Sequence, residues 1–351
     1  MLFRSCGVVW FRLSFMTLVV LSLLCVILPY AWAARLAFER MPGVRLRPGL
    51  VARATLLETG RFSLFAYANT LGNVLRSKAD QPVIGATLGV ASVAPYQAGS
   101  KVGEMFGQLT RQIADVLSPT AAHLHARGDT AALRDMLVNG MRYSVLAATP
   151  LYVAAAAYMD GLVRLLTGVD HPTTDMIWTG ESLLFWYYSL VMTHWVHKRM
   201  FMMAGEERRM MWQGVIEAVA NLALSIGLTL WLKSIVGVAL GSVIPTVGLG
   251  WGVLWGWAAR RAGLRRGVLF QRVILRAWLG CLPMVAVAAG LRLQPWWESG
   301  QTAWLLLAEG AAVGLVGLGG VWTMSLSPDE RAWLAARVGR KTGLAGEGAP
   351  A

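Results

Sequence analysis

The sequence predicts an all-α protein, a polytopic membrane helix bundle of about nine transmembrane helices. The chain is 56% hydrophobic with a mean hydropathy of +0.52, more than a soluble domain of 351 residues needs for its core. Its apolar segments are about 20 residues long, enough for a helix to cross a hydrocarbon core of about 30 Å. The gaps between them are alternately rich and poor in Arg and Lys, which is typical of a multi-pass membrane protein.

The apolar segments predict nine spans. They cover residues 8–32, 60–79, 83–119, 138–166, 177–200, 209–232, 236–259, 268–291 and 302–325. The third span is longer than the membrane is thick, so we expect it to tilt, to kink near Tyr96 or Gly103, or to project into the cytoplasm.

The distribution of positive charge predicts the orientation in a bacterial inner (plasma) membrane. The basic segments are 35–61, 123–142, 198–209, 260–276 and the tail from 331, and the positive-inside rule makes them cytoplasmic. The C-terminus is then cytoplasmic, and nine spans leave Met1 outside, with Arg4 and Arg12 on the unusual side. This arrangement predicts that something once preceded the first span.

An alternative interpretation makes residues 1–33 a signal peptide. Arg4 and Arg12 precede an apolar core, and Ala31-Trp32-Ala33 imitates a small-residue cleavage site. The apolar run is longer than in most signal peptides, and Tyr30 and Trp32 are bulky for a cleavage site. A mature chain that starts at Ala34 would establish this alternative.

Charge and cysteine content exclude several classes of function. The net charge of +13 lies in short loops that face anionic headgroups, so no nucleic-acid partner is expected. Three cysteines within apolar runs predict neither a disulfide framework nor a metal site, and no cofactor is expected. The longest outside gap is about ten residues, too short for the catalytic loop of an O-antigen-type polymerase or ligase. We therefore expect a transporter without catalytic residues, and no enzyme.

Polar residues recur at spacings of three and four within three spans, which places each set on one helix face. The sets are Asn69, Asn73, Arg76 and Asp80; Gln97, Lys101, Glu104, Gln108, Arg111 and Asp115; and Gln213, Glu217, Asn221 and Ser225. Polar groups at membrane depth normally face a bundle interior or a watery cavity, so the three stripes predict a shared wet lumen.

Each of these polar features also has a structural interpretation. The pairs Lys101 with Glu104 and Arg111 with Asp115 can form a solvated face on a helix that extends beyond the membrane. Glu217 lies deepest in an apolar run, which favours a functional or proton-linked role. His194 and His197 are expected to contact headgroups. The glycines of 237–256 and 310–320 have small-xxx-small spacing and predict close helix packing, and no phosphate loop.

Several ordered motifs resemble polysaccharide (O-antigen and exopolysaccharide) flippases of the multidrug/oligosaccharidyl-lipid/polysaccharide exporter superfamily. They are Arg76-x-x-x-Asp80-Gln-Pro-Val-Ile-Gly85, Gly89-Val-Ala-x-Val-Ala-x-Tyr96-Gln-Ala-x-x-Lys101, Ser118-Pro119, Ala126-Arg-Gly-Asp129, Met203-Ala-Gly-Glu206, Glu217, Asn221-Leu-Ala-Leu and Val236-Gly-Val-Ala-Leu-Gly-Ser242. The resemblance covers residues 58–260 through the order and spacing of these motifs.

The resemblance implies a domain division. Residues 1–57 are the first transmembrane helix and a basic cytoplasmic loop, and 58–260 are the core of a C-terminal six-helix lobe. Residues 261–326 add two helices, and 327–351 are a cytoplasmic tail. Such flippases usually have twelve to fourteen spans in two lobes, so most of the N-terminal lobe is expected to be missing, supplied by a partner, or encoded upstream of Met1.

The resemblance further implies movement of an undecaprenyl-diphosphate-linked oligosaccharide from the cytoplasmic to the outer leaflet, for lipopolysaccharide or exopolysaccharide synthesis, through a cationic central cavity. The implied substrate-binding residues are Arg76, Lys101 and Arg111 for the diphosphate and Asn69, Asn73, Gln97 and Gln108 for the sugars. The implied ion-coupling residues are Glu217, Glu104 and Asp80. Membrane lipid, a polysaccharide polymerase and an export protein are the expected partners.

Two alternatives stay open. A multidrug or toxic-compound extrusion antiporter shares the fold, but its cargo is often an organic cation, which the basic residues Lys101 and Arg111 would repel. The other alternative is an inactive, truncated flippase.

Overall fold

The computed structural model describes residues 15–40, 78–292 and 303–341, together with isolated helical positions between 53 and 71. These parts contain helices and no strand, which confirms the predicted all-α class. The helices are α1 (Phe15–Arg40), α2 (Asp80–Thr87), α3 (Val93–Ala126), α4 (Thr130–Ala157), α5 (Met159–Thr167), α6 (Thr174–Thr193), α7 (Trp195–Met203), α8 (Glu207–Leu232), α9 (Val236–Leu249), α10 (Trp255–Arg261), α11 (Arg266–Phe270), α12 (Arg276–Arg292), α13 (Ala303–Gly320) and α14 (Pro328–Lys341). A 3₁₀ turn covers Val90–Ser92, and π-helical turns join α9 to α10 (Gly250–Leu254), join α11 to α12 (Gln271–Leu275) and follow α13 (Val321–Ser325).

Four helices of the described part are long and apolar enough to cross a membrane. They are Val19–Arg40, Glu207–Leu232, Val236–Arg261 and Arg266–Arg292, and a fifth results if Thr130–Ala157 and Met159–Thr167 are counted together. These last two helices meet at an angle of 82°. The protein is therefore membrane-embedded, and the count of nine spans stays a prediction.

The chain divides into two compact units, Met1–Phe62 and Ser63–Ala351. The first unit contains α1, which carries no charged residue before Arg35 and exposes most of its apolar side chains. A helix that is hydrophobic all round is suited to lipid contact. At its end, Arg35 pairs with Glu39 at 2.9 Å.

In the second unit, the third predicted span is interrupted at Gly89. Gly89 has a φ of +90°, a backbone conformation that side chains disfavour, and it separates α2 from the 3₁₀ turn and α3. The 34-residue α3 then runs without interruption through Tyr96 and Gly103. The helical chain is thus broken before α3 begins, at the glycine with the unusual φ, and tilt, kink or projection of α3 itself stays a prediction.

Helices α3 and α6 pack side by side along a row of glycines. A Cβ on Gly99 would lie 2.5 Å from the carbonyl oxygen of Met176, and a Cβ on Gly107 would overlap the ring of Tyr187. The spacing by multiples of four residues places these glycines on one face, so the two backbones approach closely. This contact positions the polar face of α3 beside the aromatic residues of α6.

Helices α8 and α9 form a tight antiparallel hairpin. Lys233, in the left-handed conformation with φ +51°, ends α8. A Cβ on Gly237 would lie 2.6 Å from the backbone nitrogen of Thr229, and one on Gly241 would lie 2.5 Å from the backbone of Ser225. The expected packing role is confirmed for these two glycines.

Candidate functional site

A polar pocket lies where α2, α3 and α6 meet. We name it the Asp80 pocket. It is lined by Asp80, Gln81, Tyr96, Gln97, Ser100, Glu104, Leu183, Trp186 and Tyr187, and the space for the centres of water-sized particles within it is about 20 Å³. Three of the predicted site residues, Asp80, Gln97 and Glu104, are thus brought together around one pocket, although their assigned roles stay predictions.

Asp80 is the most deeply buried charged residue of the pocket, with 7% of its surface exposed. The hydroxyl of Tyr96 donates a hydrogen bond to one carboxylate oxygen, Oδ2. The other oxygen, Oδ1, is buried and accepts no hydrogen bond. A buried carboxylate oxygen without a donor is costly, so this atom marks a place where a ligand would be stabilising.

Glu104 lines the pocket, and Lys101 lies beside Glu104. Their charged atoms Nζ and Oε2 are 3.7 Å apart, and each side chain is about one-third exposed (31% and 30%). The pair is a loose, half-exposed contact of the kind that contributes little to stability. Among the described residues, the lining of the pocket contains two carboxylates and no basic side chain. Arg76 lies outside the described residues, so the cationic cavity stays a prediction.

The cytoplasmic half of the α3 stripe lies on an exposed face. Arg111 is 60% exposed and its Nε lies 3.8 Å from Oδ2 of Asp115, while Arg199 of α7 approaches Oδ1 of Asp115 at 2.5 Å. Gln108 is also exposed. The exposure of Arg111 and Asp115 is compatible with the alternative of a solvated face, and the substrate-binding role of Arg111 stays a prediction. The remaining predicted binding residues, Asn69, Asn73 and Arg76, lie outside the described residues.

Glu217 lies in a different place, which we name the Glu217 cluster (Glu217, His194, Lys198, Gln213 and Thr246). Its side chain is fully buried. One carboxylate oxygen, Oε2, accepts from Nζ of Lys198 at 3.2 Å and from Nε2 of Gln213 at 2.8 Å. The other, Oε1, accepts from the hydroxyl of Thr246 at 2.8 Å and lies 3.3 Å from Nε2 of His194. Polar groups from the α6–α9 region thus surround one carboxylate.

A two-step hydrogen-bond chain connects the Glu217 cluster to the Asp80 pocket. The indole Nε1 of Trp186 donates to the hydroxyl of Thr246 at 2.8 Å, and that hydroxyl donates to Glu217. Trp186 also lines the Asp80 pocket. A shift of Trp186 in the pocket wall would therefore be transmitted to Glu217 through two hydrogen bonds.

The rest of the α8 stripe packs dryly against α9. Gln213, Asn221 and Ser225 are at most 4% exposed. The amide nitrogen of Asn221 donates to Ser242 at 2.8 Å, and the hydroxyl of Ser225 donates to the carbonyl oxygen of Val238 at 3.4 Å. The expected shared wet lumen is therefore wrong for this stripe, because the close approach at Gly237 and Gly241 lets α9 contact these groups directly.

The histidines of this region are also placed differently from expectation. His194 and His197 are 1% and 0% exposed, so neither contacts headgroups. The geometric reason is that both project from the α6–α7 junction into the bundle. There the hydroxyl of Thr193 lies 2.8 Å from Nδ1 of His194, and the ring of Trp255 lies 6.1 Å from the ring of His197.

The beginning of the C-terminal tail is hydrogen-bonded to α4. Glu330 accepts two hydrogen bonds from the guanidinium of Arg142, at 2.7 and 2.8 Å, and one from the hydroxyl of Tyr143 at 2.7 Å. Burial alone would raise the pKa of the Glu330 carboxyl, but the bonds from Arg142, the Ser327 backbone N–H and Tyr143 lower it to about 2.

This contact was not predicted from the sequence, although part of it corresponds to a recognisable sequence motif. Ser327 and Glu330 exchange hydrogen bonds at 2.8 and 3.3 Å as a capping box at the start of α14. The Ser-x-x-Glu spacing could have predicted that half. Nothing in the sequence pairs Glu330 with Arg142, which lies 188 residues away.

Comparison with known proteins identifies one related family. Residues 5–172, just under half of the chain, match a family model described as polysaccharide biosynthesis protein. The match overlaps the sequence resemblance over residues 58–172 and includes α1, the Asp80 pocket residues of α2 and α3, and the polar face of α3. No curated protein and no solved structure matches the chain. The predicted resemblance to a polysaccharide flippase-type family is confirmed by the match.

Proposed function

We propose that this polysaccharide-related membrane protein moves a lipid-linked, undecaprenyl-diphosphate oligosaccharide from the cytoplasmic to the outer leaflet of the inner membrane. The observation that carries the proposal is the polysaccharide biosynthesis match over residues 5–172, because that segment contains the whole polar face of α3. The proposed activity is transport, and the protein is not proposed to be an enzyme.

The geometry of α3 supports binding of both parts of such a substrate. Gln97 and Ser100 line the Asp80 pocket, where an amide and a hydroxyl can exchange hydrogen bonds with sugar hydroxyls. Lys101 lies one turn from Gln97 on the same helix, and its contact with Glu104 is long, at 3.7 Å. A diphosphate carries more charge than one carboxylate, so it would compete well for this ammonium.

Arg111 offers a second anion contact toward the predicted cytoplasmic end of α3. Asp115 lies closer to Arg199 than to Arg111, at 2.5 Å against 3.8 Å, so Arg111 is the more loosely held of the two guanidiniums. Lys101 and Arg111 are ten residues apart on one helix, roughly 15 Å along its axis. This separation favours contacts that the substrate makes with Lys101 and Arg111 one after the other as it moves, over simultaneous binding of one diphosphate by both residues.

Transport would require the polar face of α3 to be exposed to each side in turn. Rocking of one helix group against another is the usual means. The break at Gly89 and the 82° bend between α4 and α5 are two places in the second unit where the chain direction can change. The polymerase and export proteins that use the translocated product are proposed as functional partners.

One observation favours a second candidate, an extrusion antiporter for organic cations. The Asp80 pocket is lined by Asp80 and Glu104 and by three aromatic side chains, Tyr96, Trp186 and Tyr187. Carboxylates and aromatic faces attract cations. An increase in resistance to cationic drugs on expression in a sensitive host, without an effect on surface polysaccharide, would favour this candidate.

Complementation tests the proposal. A strain that lacks its polysaccharide flippase is given the wild-type chain, Lys101→Ala, Arg76→Ala or Arg127→Ala, and surface polysaccharide and protein level are measured. Arg127 is an exposed cation just beyond α3 and is the matched control. We expect reduced polysaccharide at unchanged protein level for Lys101→Ala and Arg76→Ala only. Full activity of both variants would eliminate their assignment to substrate, and absence of complementation across several glycans would favour an inactive, truncated flippase.

A further inference from the structure

We propose that a cluster of arginines at the predicted cytoplasmic surface binds the headgroup of an anionic phospholipid of the bilayer. We name it the Arg261 corner (Arg134, Glu206, Arg209, Arg261 and Gly263). It lies where the beginning of α4 meets the turn between α7 and α8 and the turn between α10 and α11. Basic loops attract anionic headgroups in general, and this corner differs from them by its fixed geometry. The inference is independent of the proposed transport function, because it concerns a structural lipid and not the cargo.

Two tight turns bring the corner together. Helices α7 and α10 are each followed by a glycine with a positive φ, Gly205 at +78° and Gly263 at +60°. In both turns, the N–H of the residue after the glycine donates to the carbonyl oxygen five residues before it, at 3.0 and 2.9 Å. Helix ends of this kind turn the chain sharply. They leave Glu206, just after α7, and Arg261, at the end of α10, 3.3 Å apart between Oε1 and Nη1.

Glu206 orients two guanidinium groups. Its Oε1 accepts from Nη1 of Arg261 at 3.3 Å, and its Oε2 accepts from Nη1 of Arg209 at 2.8 Å. The side chain of Glu206 is 18% exposed, whereas those of Arg261 and Arg209 are 42% and 69% exposed. A guanidinium has five N–H donors in a planar fork, so both arginines keep donors for a phosphate oxygen on the solvent side. The carboxylate thus holds two cations in place and compensates one of their charges.

Arg134 adds a third guanidinium to the corner. A Cβ on Gly263 would lie 2.8 Å from Nη2 of Arg134, so this guanidinium packs directly over the glycine, and the residue is exposed. Three arginines and one glutamate give the cluster an excess of two positive charges. Around it, residues 198–209 contain four basic and two acidic side chains, and residues 260–276 contain six basic and no acidic ones. A headgroup with a net negative charge is therefore favoured over a zwitterionic one.

The corner lies at the level of the lipid headgroups. Three helices that are long and apolar enough to cross a membrane have an end here: Glu207–Leu232 begins directly after Glu206, Val236–Arg261 ends at Arg261, and Arg266–Arg292 begins three residues beyond Gly263. The ends of such helices lie where the hydrocarbon meets the headgroup region. The anions held at that depth are phospholipid phosphates, and basic pockets between helices on the cytoplasmic side bind such headgroups.

The corner recognises the headgroup and not the acyl chains. Arg261 lines a small apolar cavity, and the other residues of its lining are Leu133, Leu137, Met200, Phe201 and Ala204. The space for the centres of water-sized particles within it is about 10 Å³, which corresponds to about one water. An acyl chain does not fit into this space. The chains of the bound lipid therefore stay in the bilayer, and the phosphate is the part that the arginines contact.

Native mass spectrometry of the full chain in detergent measures the binding. Phosphatidylglycerol, phosphatidylcholine with the same acyl chains, undecaprenyl phosphate and inorganic phosphate are titrated separately. We expect phosphatidylglycerol to bind with saturation and more tightly than phosphatidylcholine. Arg261→Gln and Arg134→Gln should each weaken the binding of phosphatidylglycerol roughly fivefold, since each removes one cation from the membrane surface.

Arg164→Gln is the matched control. Arg164 also pairs with a carboxylate, that of Asp160 at 3.0 Å, and its side chain is 35% exposed, but it lies on the predicted outer side. This variant should bind phosphatidylglycerol as the wild type does. The melting temperature of each variant verifies that it is folded.

Equal affinity for phosphatidylglycerol and phosphatidylcholine, or unchanged affinity for phosphatidylglycerol in both corner variants, would overturn the site. A preference for undecaprenyl phosphate would assign the corner to the cargo, and equally tight binding of inorganic phosphate would assign it to a soluble anion. Either result would also overturn the proposal. Arg134→Gln leaves both ion pairs of Glu206 intact, so it keeps the test valid if Arg261→Gln does not fold. Glycolipid transport is measured separately, so failure of this site and failure of the proposed function are distinguishable.

Discussion

Replacement of Lys198 by methionine should destabilise the protein strongly, because it removes the ammonium from a buried carboxylate. The ammonium lies 3.2 Å from Oε2 of Glu217, whose side chain is fully buried, while Lys198 itself is 15% exposed. Lys198→Met keeps the apolar stem and leaves Glu217 with Gln213, Thr246 and His194. Removing one partner of a buried ion pair costs about 3–5 kcal/mol. We expect the lower end of that range, about 3 kcal/mol, because Gln213 and Thr246 still donate to Glu217.

The double variant Lys198→Met/Glu217→Gln provides the internal check. With both charges removed, no charge of the pair is left buried, and the amide of glutamine can still accept from Thr246. We expect the double variant to lose roughly 1–2 kcal/mol, less than Lys198→Met alone, so that the two substitutions are strongly non-additive.

Reversible unfolding in mixed micelles measures these free energies of unfolding. Lys101→Met is the matched control, because its contact with Glu104 is 3.7 Å long and its side chain is 31% exposed, so its loss should stay below about 1 kcal/mol. A loss below about 1 kcal/mol for Lys198→Met, or a double variant less stable than Lys198→Met, would refute the reasoning that Glu217 is a buried, compensated anion.

Three further predictions concern the tail contact and the α8–α9 hairpin. Arg142→Met should release the start of α14, at a cost of about 1–3 kcal/mol for the bidentate contact, and amide hydrogen exchange over residues 326–336 should accelerate while that of α8 does not. The pKa of Glu330 is lowered to about 2 from an ordinary value of 4.5. The stabilisation that the Glu330 carboxylate contributes is therefore complete above pH 4.5 and is lost as the pH falls through about 2. Release of the wild-type tail already at about pH 5 would contradict this prediction. Gly241→Ala should destabilise the protein by about 1–3 kcal/mol, since its Cβ would lie 2.5 Å from the backbone of Ser225. Gly227→Ala is the control, because no atom lies within 4 Å of its Cβ, and it should not destabilise the protein. Equal melting temperatures of the two variants would refute the close packing of α8 on α9.

The sequence was sufficient to predict the all-α class and two of the spans closely, because apolar length and periodicity are local properties. The span predicted at 209–232 corresponds to Glu207–Leu232, and that predicted at 236–259 corresponds to Val236–Arg261. The breaks were less predictable. Gly89 adopts a positive φ while Gly103 stays helical, and the 82° bend follows Ala157 without a proline at the break. Tertiary packing decides which glycine is used in this way.

The candidate site was predictable only as faces of separate helices. The spacing of Gln97, Lys101 and Glu104 placed them correctly on one side of α3, but the pocket also needs Trp186 and Tyr187 from α6. The α8 stripe was recognised by its spacing of four, yet its partners Lys198 and Thr246 lie 19 and 29 residues from Glu217. A polar stripe that faces water and one that faces a polar neighbouring helix have the same sequence pattern, so the wet lumen could not be distinguished from a dry network.

Transbilayer movement of a lipid-linked oligosaccharide by the purified chain tests the central claim most directly. The protein is reconstituted into vesicles that contain a fluorescent undecaprenyl-diphosphate oligosaccharide, and a membrane-impermeant quencher reports the fraction in the outer leaflet over time. We expect movement that depends on the protein, is slowed by Lys101→Ala and is unaffected by Arg127→Ala. Traces that match protein-free vesicles for every glycan tested, from protein that is folded by its melting transition, would contradict the account.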